Sequence, residues 1–263
     1  MRQYVVDAFT EKIFAGNPAA VCVMDHWISD ELMTKIALEN NFSETAFIVK
    51  EGEKYHLRWF TLAGEINLCG HATMASSFVI FNFFEKDSTE ITFSTLSGDL
   101  VIHRTGDVFE MEFPAFPLKE IPVTEEIIDA IGVKPQTAYL GEDLLCVFDS
   151  EDTVRKINPD LQKVKELDGL LLHITARGKD FDCVSRTFAP KCNTPEDPVC
   201  GRGHCHIIPY WANQLQKKDL VAYQASSRGG VLYCRKENDK VILAGKAALF
   251  SIGELFTDTA DAL

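Results

Sequence analysis

Three short strings carry side chains whose types and spacing could move protons. Leu68-Cys69-Gly70-His71-Ala72-Thr73 places small and polar residues at the start of an apolar run that extends to Phe84. A helix that begins at a glycine offers unpaired backbone N–H groups and the positive end of its dipole, which together favour an anion such as a carboxylate. A plain glycine turn feeding a core helix would look the same, and a string this short does not choose between them. Cys200-Gly201-Arg202-Gly203 repeats the step ahead of a second apolar run, so two opposed helix starts could grip one substrate. Ser43-Glu44-Thr45 falls between a helix and a strand. A carboxyl at such an edge, half-buried beside a cleft, can exchange protons near neutral pH, although a solvated loop acid is the commoner case. Asp197 precedes Pro198 just before the second glycine step, where it would either hold a substrate group or simply initiate a turn.

The elements that must position these groups follow from periodicity and turn signals. Strands are expected at Tyr4 to Phe9, Ala20 to Met24, Thr45 to Lys50 and Tyr55 to Phe60, with a Ser29-capped amphipathic helix through Leu38. Gly16-Asn17-Pro18 marks the first turn and Ala63-Gly64-Glu65 another, and His71 to Phe84 reads as one core helix. Alternating segments continue to Phe113, where Pro114-Ala115-Phe116-Pro117 suggests a boundary near residue 115. The second half repeats the layout: strands near Gln136 to Leu140, Leu144 to Phe148, Gly169 to Thr175 and Asp180 to Phe188, a helix over Asn158 to Leu167, and an apolar helix from Arg202 to Gln214 after a Cys-Gly step. Further strands run from Leu220 to Lys246. The expected fold class is α+β, with two pseudo-symmetric domains, each a barrel-like sheet wrapped around one helix. Their expected spans are 1–115, with 248–263 as a candidate completion, and 116–247. A cleft between such halves is the default ligand position.

Composition narrows the partners. The 263 residues carry 39 Asp and Glu against 26 Lys and Arg, a net charge of -13, which disfavours nucleic acid and anionic membrane as ligands. One local arginine or helix start still suffices for a small anion. The opening MRQYVVDAFT lacks the pattern of a secretory signal, and Met74 to Phe84 is too short to span a bilayer. Eight scattered cysteines without a CxxC pair fit reduced thiols in a cytoplasmic protein rather than a disulfide framework. Cys200, His204, Cys205 and His206 have zinc-type side chains, but they cannot all converge from one helix, so no metal is expected.

Taken in order, Phe14 to Val21 with its Gly16-Asn17-Pro18 core, Ser43-Glu44-Thr45-Ala46-Phe47, Arg58-Trp59-Phe60-Thr61, Glu65 through Cys69-Gly70-His71-Ala72-Thr73, Ser185 to Pro190, Glu196-Asp197-Pro198-Val199 and Gln224 to Gly230 resemble the PhzF-like family of isomerases across nearly the whole chain. The resemblance implies a diaminopimelate-epimerase-like fold, a homodimer, and a cofactor-free proton shift on a small carboxylate. It assigns proton transfer to Glu44, places His71 and Asp197 in the site, and makes Asn17, Cys69, Gly70, Cys200, Gly201 and Arg202 candidates for substrate binding. Two positions depart from the family pattern: Cys200 and Arg202 stand where EDPVTGS has a hydroxyl pair. Arg202 would either bind a second carboxylate or exclude the usual substrate. Cys69 and Cys200 would also suit a two-cysteine racemase or epimerase. A non-catalytic small-molecule binder is the remaining alternative.

Overall fold

The computed structural model describes residues 1–257; the last six residues of the expected closing segment 248–263 lie outside them. The chain forms two units, Met1–Glu112 together with the chain from Ala244 on, and Phe113–Leu243.

In the first unit β1 (Arg2–Ala8) pairs antiparallel with β2 (Asn17–Met24). A parallel neighbour needs a crossover, and α1 (Asp30–Asn40) supplies it before β3 (Thr45–Glu51). Ser29 caps α1 by accepting from the Leu32 amide at 3.2 Å, Asp30 and Glu31 favour the positive end of its dipole, and Asn41 ends it in the left-handed region. Met33, Ile36 and Ala37 form its buried stripe. β4 (Lys54–Thr61) and β5 (Gly64–Ile66) complete the approach to α2 (Gly70–Val79). That helix is buried on nearly every side and packs against β1, β2 and β3, so its polar members need internal partners. Thr73, Ser76 and Ser77 donate to the carbonyls of Cys69, Ala72 and Thr73 at 2.5, 2.7 and 2.7 Å. The α-helix does not run unbroken to Phe84 as expected. Ile80–Phe84 forms a wider π turn closed by Glu85 N–H on the Ile80 carbonyl at 2.8 Å. The widening leaves Phe81 stacked on Phe109 in the core, while Phe83 and Phe84 lie beside Tyr4. Strands β6 (Glu90–Thr95), β7 (Gly98–Thr105) and β8 (Val108–Pro114) follow as an antiparallel run.

The second unit contains β9 (Lys119–Ile121), α3 (Glu125–Ile131), β10 (Thr137–Leu140), β11 (Leu144–Val147), α4 (Glu151–Lys156), α5 (Leu161–Glu166), β12 (Leu172–Arg177), β13 (Cys183–Ala189) and β14 (Thr194–Asp197). It continues through α6 (Gly201–Leu215), β15 (Asp219–Gln224), β16 (Gly230–Glu237) and the start of β17 (Lys240–Gly245), whereas β18 (Ala247–Glu254) belongs to the first unit and pairs there with β1. The expected helix over 158–167 is the shorter α5, and α4 was not anticipated. Its signal was present as Ser150 ahead of Glu151 and Asp152, a capping residue with an acidic first turn. α6 packs against β12, β15 and β16 and holds Pro209 in its interior. Proline has no N–H to give the carbonyl four residues back. The freed Cys205 carbonyl instead accepts from Phe116 N–H at 3.1 Å, which stitches the incoming chain to the helix. Among the described residues no helix is long and apolar enough to cross a membrane.

Candidate active site

Short strands prepare both helix starts. β5 lies where a turn was expected, and it sets Glu65 beside Arg58, whose Nε and Nη2 donate to the two carboxylate oxygens at 2.7 and 2.6 Å. In the second unit Arg186 of β13 grips Glu196 of β14 in the same bidentate way, at 2.7 and 2.9 Å. Each clamped glutamate lies four residues before a cysteine-glycine step. Side-chain hydroxyls hold the intervening loops: Ser97 Oγ donates to the Asn67 carbonyl at 2.8 Å, and Ser226 Oγ to that of Pro198 at 2.8 Å.

At the first start, Cys69 has extended backbone and caps α2 without a side-chain hydrogen bond. Glu44, placed by the end of α1 and the start of β3, reaches His71 in the first turn of α2. Glu44 Oε2 and His71 Nε2 are 3.0 Å apart, with side chains only 16% and 7% exposed. Both atoms are enclosed, and among the described residues neither has a hydrogen-bond partner of acceptable geometry. They sit within ion-pairing distance yet out of alignment. The other ring nitrogen of His71 lies 3.5 Å from Cys69 Sγ. Burial pushes the Cys69 thiol up, and the Glu44 charge pushes it further. Burial alone would lower His71, but its acidic neighbours Cys69 and Glu44 outweigh that and hold it well above the usual histidine range. Asn17 is buried at the start of β2, opposite Ala8. The preceding Gly16, at a φ of +64°, has no room for a side chain, because an added Cβ would lie 2.1 Å from the Ala8 carbonyl oxygen.

At the second start, Gln224 fixes the Asp197–Cys200 loop from both ends. Its Nε2 donates to the Asp197 carbonyl at 2.6 Å and its Oε1 accepts from Cys200 N–H at 2.8 Å. Cys200 Sγ caps α6 by accepting from Gly203 N–H at 3.3 Å. Burial, reinforced by the Asp197 carboxylate, pushes this thiol well above its ordinary value. Neither helix-capping cysteine therefore has the lowered pKa that the two-thiol alternative invoked.

Arg202 has company that the sequence did not predict. Its Nε donates to Asp143 Oδ2 at 2.9 Å, and its Nη2 reaches Asp143 Oδ1 at 3.3 Å and Glu142 Oε2 at 2.8 Å. The guanidinium is thus engaged by two carboxylates of its own unit. Asp143 also lies 3.2 Å from His173 Nε2 and accepts from Leu171 N–H at 3.2 Å. Burial opposes its charge, but His173 and Arg202 outweigh it and hold the carboxyl well below the usual range. His204 bonds back to the Cys200 carbonyl at 2.7 Å, and His206 turns toward Asp143 and His173. The four-residue set on α6 considered for zinc is therefore split between different neighbours. Asp143 and His173 had no local motif to reveal their roles, since the two side chains that Asp143 brings together, His173 and Arg202, lie 30 and 59 residues from it in sequence.

Comparison with known proteins agrees with this architecture. The family model described as phenazine biosynthesis-like protein matches residues 6–253. An uncharacterised isomerase of Pseudomonas aeruginosa is 43% identical over 251 residues, covering 95% of this chain and 96% of its own. The crystal structure of a PhzF family protein from Enterococcus faecalis superposes with a TM-score of 0.95 at 47% identity, over 97% of this chain and 98% of that one. A probable proline racemase from Agrobacterium radiobacter, 9% identical, shares the fold at a TM-score of 0.66 over 99% of this chain and 94% of its own. The fold is the diaminopimelate-epimerase-like α+β architecture, and the chain belongs to the phenazine biosynthesis-like, or PhzF, family of isomerases.

Proposed function

We propose that this isomerase shifts a proton on a small carboxylate-bearing metabolite without an organic cofactor or metal, with Glu44 as the acid/base. The observation that carries this reading is the enclosed Glu44–His71 pair, whose facing atoms lie 3.0 Å apart without hydrogen-bond alignment. Buried polar atoms are normally satisfied, and an exception calls for an explanation, a catalytic role among them. In the proposed reaction the Glu44 carboxylate takes a proton from one substrate carbon, leaving the electron pair in the substrate's π system. Neutral Glu44 then returns the proton at another carbon of the same system. The His71 imidazolium stabilises the charge as it develops, and the amides at the Gly70 helix start hold the substrate carboxylate. In the second unit Asp197 and the Gly201 helix start are the substrate-holding candidates. Arg202, already gripped by Asp143 and Glu142, serves to anchor α6. The net charge of -13 favours small-molecule substrates over nucleic acid or membrane, and we place the protein in the cytoplasm as a homodimer.

The test is incubation in D₂O with a panel of small amino, hydroxy and unsaturated carboxylates, reading deuterium uptake by mass spectrometry for wild type and Glu44→Gln. Uptake by wild type that disappears in the variant supports the assignment. Uptake that survives in Glu44→Gln overturns it and returns attention to Cys69 and Cys200.

A further inference from the structure

The second unit holds a cluster that the proton shift does not use. Asp143 on the turn before β11, His173 on β12 and His206 on the second turn of α6 are all enclosed, with no side-chain exposure. Asp143 Oδ2 lies 3.2 Å from His173 Nε2 and 3.6 Å from His206 Nδ1, and one ligand atom from each residue falls within 4.8 Å of the others. A tetrahedral ion with bonds of about 2.0–2.1 Å separates its ligand atoms by about 3.3–3.4 Å. The two shorter edges therefore match before any adjustment.

The surroundings also resemble a metal shell. His173 is oriented through its other nitrogen by Thr187 Oγ1 at 2.9 Å, and Asp143 is oriented by the Leu171 amide at 3.2 Å. Such outer hydrogen bonds fix the ligating tautomer and direct the lone pair inward. Gly203 provides the space: a Cβ there would lie 2.8 Å from the His173 ring. His206 presents its Nδ1 to the cluster. Its Nδ1 faces the Asp143 carboxylate and, at 3.3 Å, the Arg202 carbonyl, while its Nε2 is enclosed without a hydrogen-bond partner among the described residues. With the proton on Nε2, the Nδ1 lone pair points at two acceptors, an arrangement that calls for a cation. With the proton on Nδ1, Nε2 is left bare. The cation now beside Asp143 Oδ2 is the Arg202 guanidinium, at 2.9 Å. Its side chain is 37% exposed and also holds the surface carboxylate of Glu142, so it can swing outward without losing every partner.

We propose that Asp143, His173 and His206 form a binding site for one divalent transition-metal ion of the zinc class, with Arg202 standing in as the cation when no ion is bound. Neutral imidazole and carboxylate ligands suit zinc and cobalt better than magnesium or calcium. A bound ion would tie the first two turns of α6 to β12 and to the β10–β11 turn.

The full chain, stripped with a chelator and re-equilibrated with zinc chloride, is passed over gel filtration and its metal counted by inductively coupled plasma mass spectrometry. Cobalt chloride provides a parallel visible-absorption readout. One ion per chain is expected in wild type and in His71→Ala, which disables the other gathered group of Glu44, Cys69 and His71. Loss of the ion is expected in His206→Ala. Arg202→Met should bind more tightly because its competing cation is gone, and this gain cannot come from misfolding. Histidine ring NMR of wild type, which needs no variant, should show His173 and His206 shifting on zinc addition while His71 stays in place. If neither wild type nor Arg202→Met retains an ion, or if the ion is lost in His71→Ala and kept in His206→Ala, the proposal is overturned. None of these readouts depends on finding the substrate, so failure here leaves the Glu44 assignment separate.

Discussion

The two units prepare the start of their central helix alike and then finish it differently. Glu65 clamped by Arg58 leads to Cys69-Gly70, and Glu196 clamped by Arg186 leads to Cys200-Gly201. Beyond the clamps, the first unit encloses Glu44 and His71 with their facing atoms unaligned, whereas the second gives Asp143 an arginine, a histidine and a backbone amide. A satisfied buried network rigidifies its surroundings, while an under-satisfied pair costs stability that function must justify. The contrast sets an unaligned pair at the first helix start against a bonded carboxylate beside the second.

The largest effect should come from Glu44→Gln. Deuterium exchange into a turned-over substrate should fall about 10²–10⁴-fold, the usual share of a general acid/base, while the thermal midpoint stays close to wild type. A large loss of stability with exchange intact would reverse the roles of the two units. Asp143→Ala should do the opposite. Removing one member of a buried ion pair costs about 3–5 kcal/mol, visible in urea denaturation, because Arg202 and His173 lose their shared acceptor. The two clamps offer a finer comparison: Glu65→Gln and Glu196→Gln should each cost about 1–3 kcal/mol. Clearly unequal losses in denaturation would break their equivalence.

The smallest effect is in pH, and its sign differs between the units. His71 is raised above its unfolded value of about 6.5, so its contribution is fully present below that value and fades as pH rises through the folded value. Asp143 is depressed, so its contribution is present above the unfolded carboxylate value of about 3.9 and fades as pH falls toward the folded one. Melting curves of His71→Gln and Asp143→Asn across pH should converge on wild type at alkaline and acid pH respectively. Convergence at the same end would show that one of the two pairings is misassigned.

Much of this architecture was legible because it is local. Ser29 ahead of Asp30 and Glu31 announced α1, and the apolar runs after Cys69-Gly70 and Cys200-Gly201 announced the two central helices. Three-residue strands carry too little pattern to read, so Gly64–Ile66 looked like a turn although its pairing is what delivers Glu65 to Arg58. The π turn after Val79 was hidden for a related reason: hydrophobic periodicity marks that a helix exists but is insensitive to one extra residue in its last turn.

By itself, the sequence determined the elements whose signals lie within a few residues: the caps, the glycine helix starts, the alternating strands, and the ordered motifs that place the chain in its family. Which side chains meet was decided by tertiary structure. Glu44 and His71 are 27 positions apart, and Asp143 and Arg202 are 59 apart. Arg202 read alone is a free anion-binding group, and only the turn that carries Glu142 and Asp143 to it pairs it with two carboxylates. Charge and hydrogen-bond satisfaction depend on distances of about 3 Å, and such distances between remote residues exist only once the sheets and their central helices have formed.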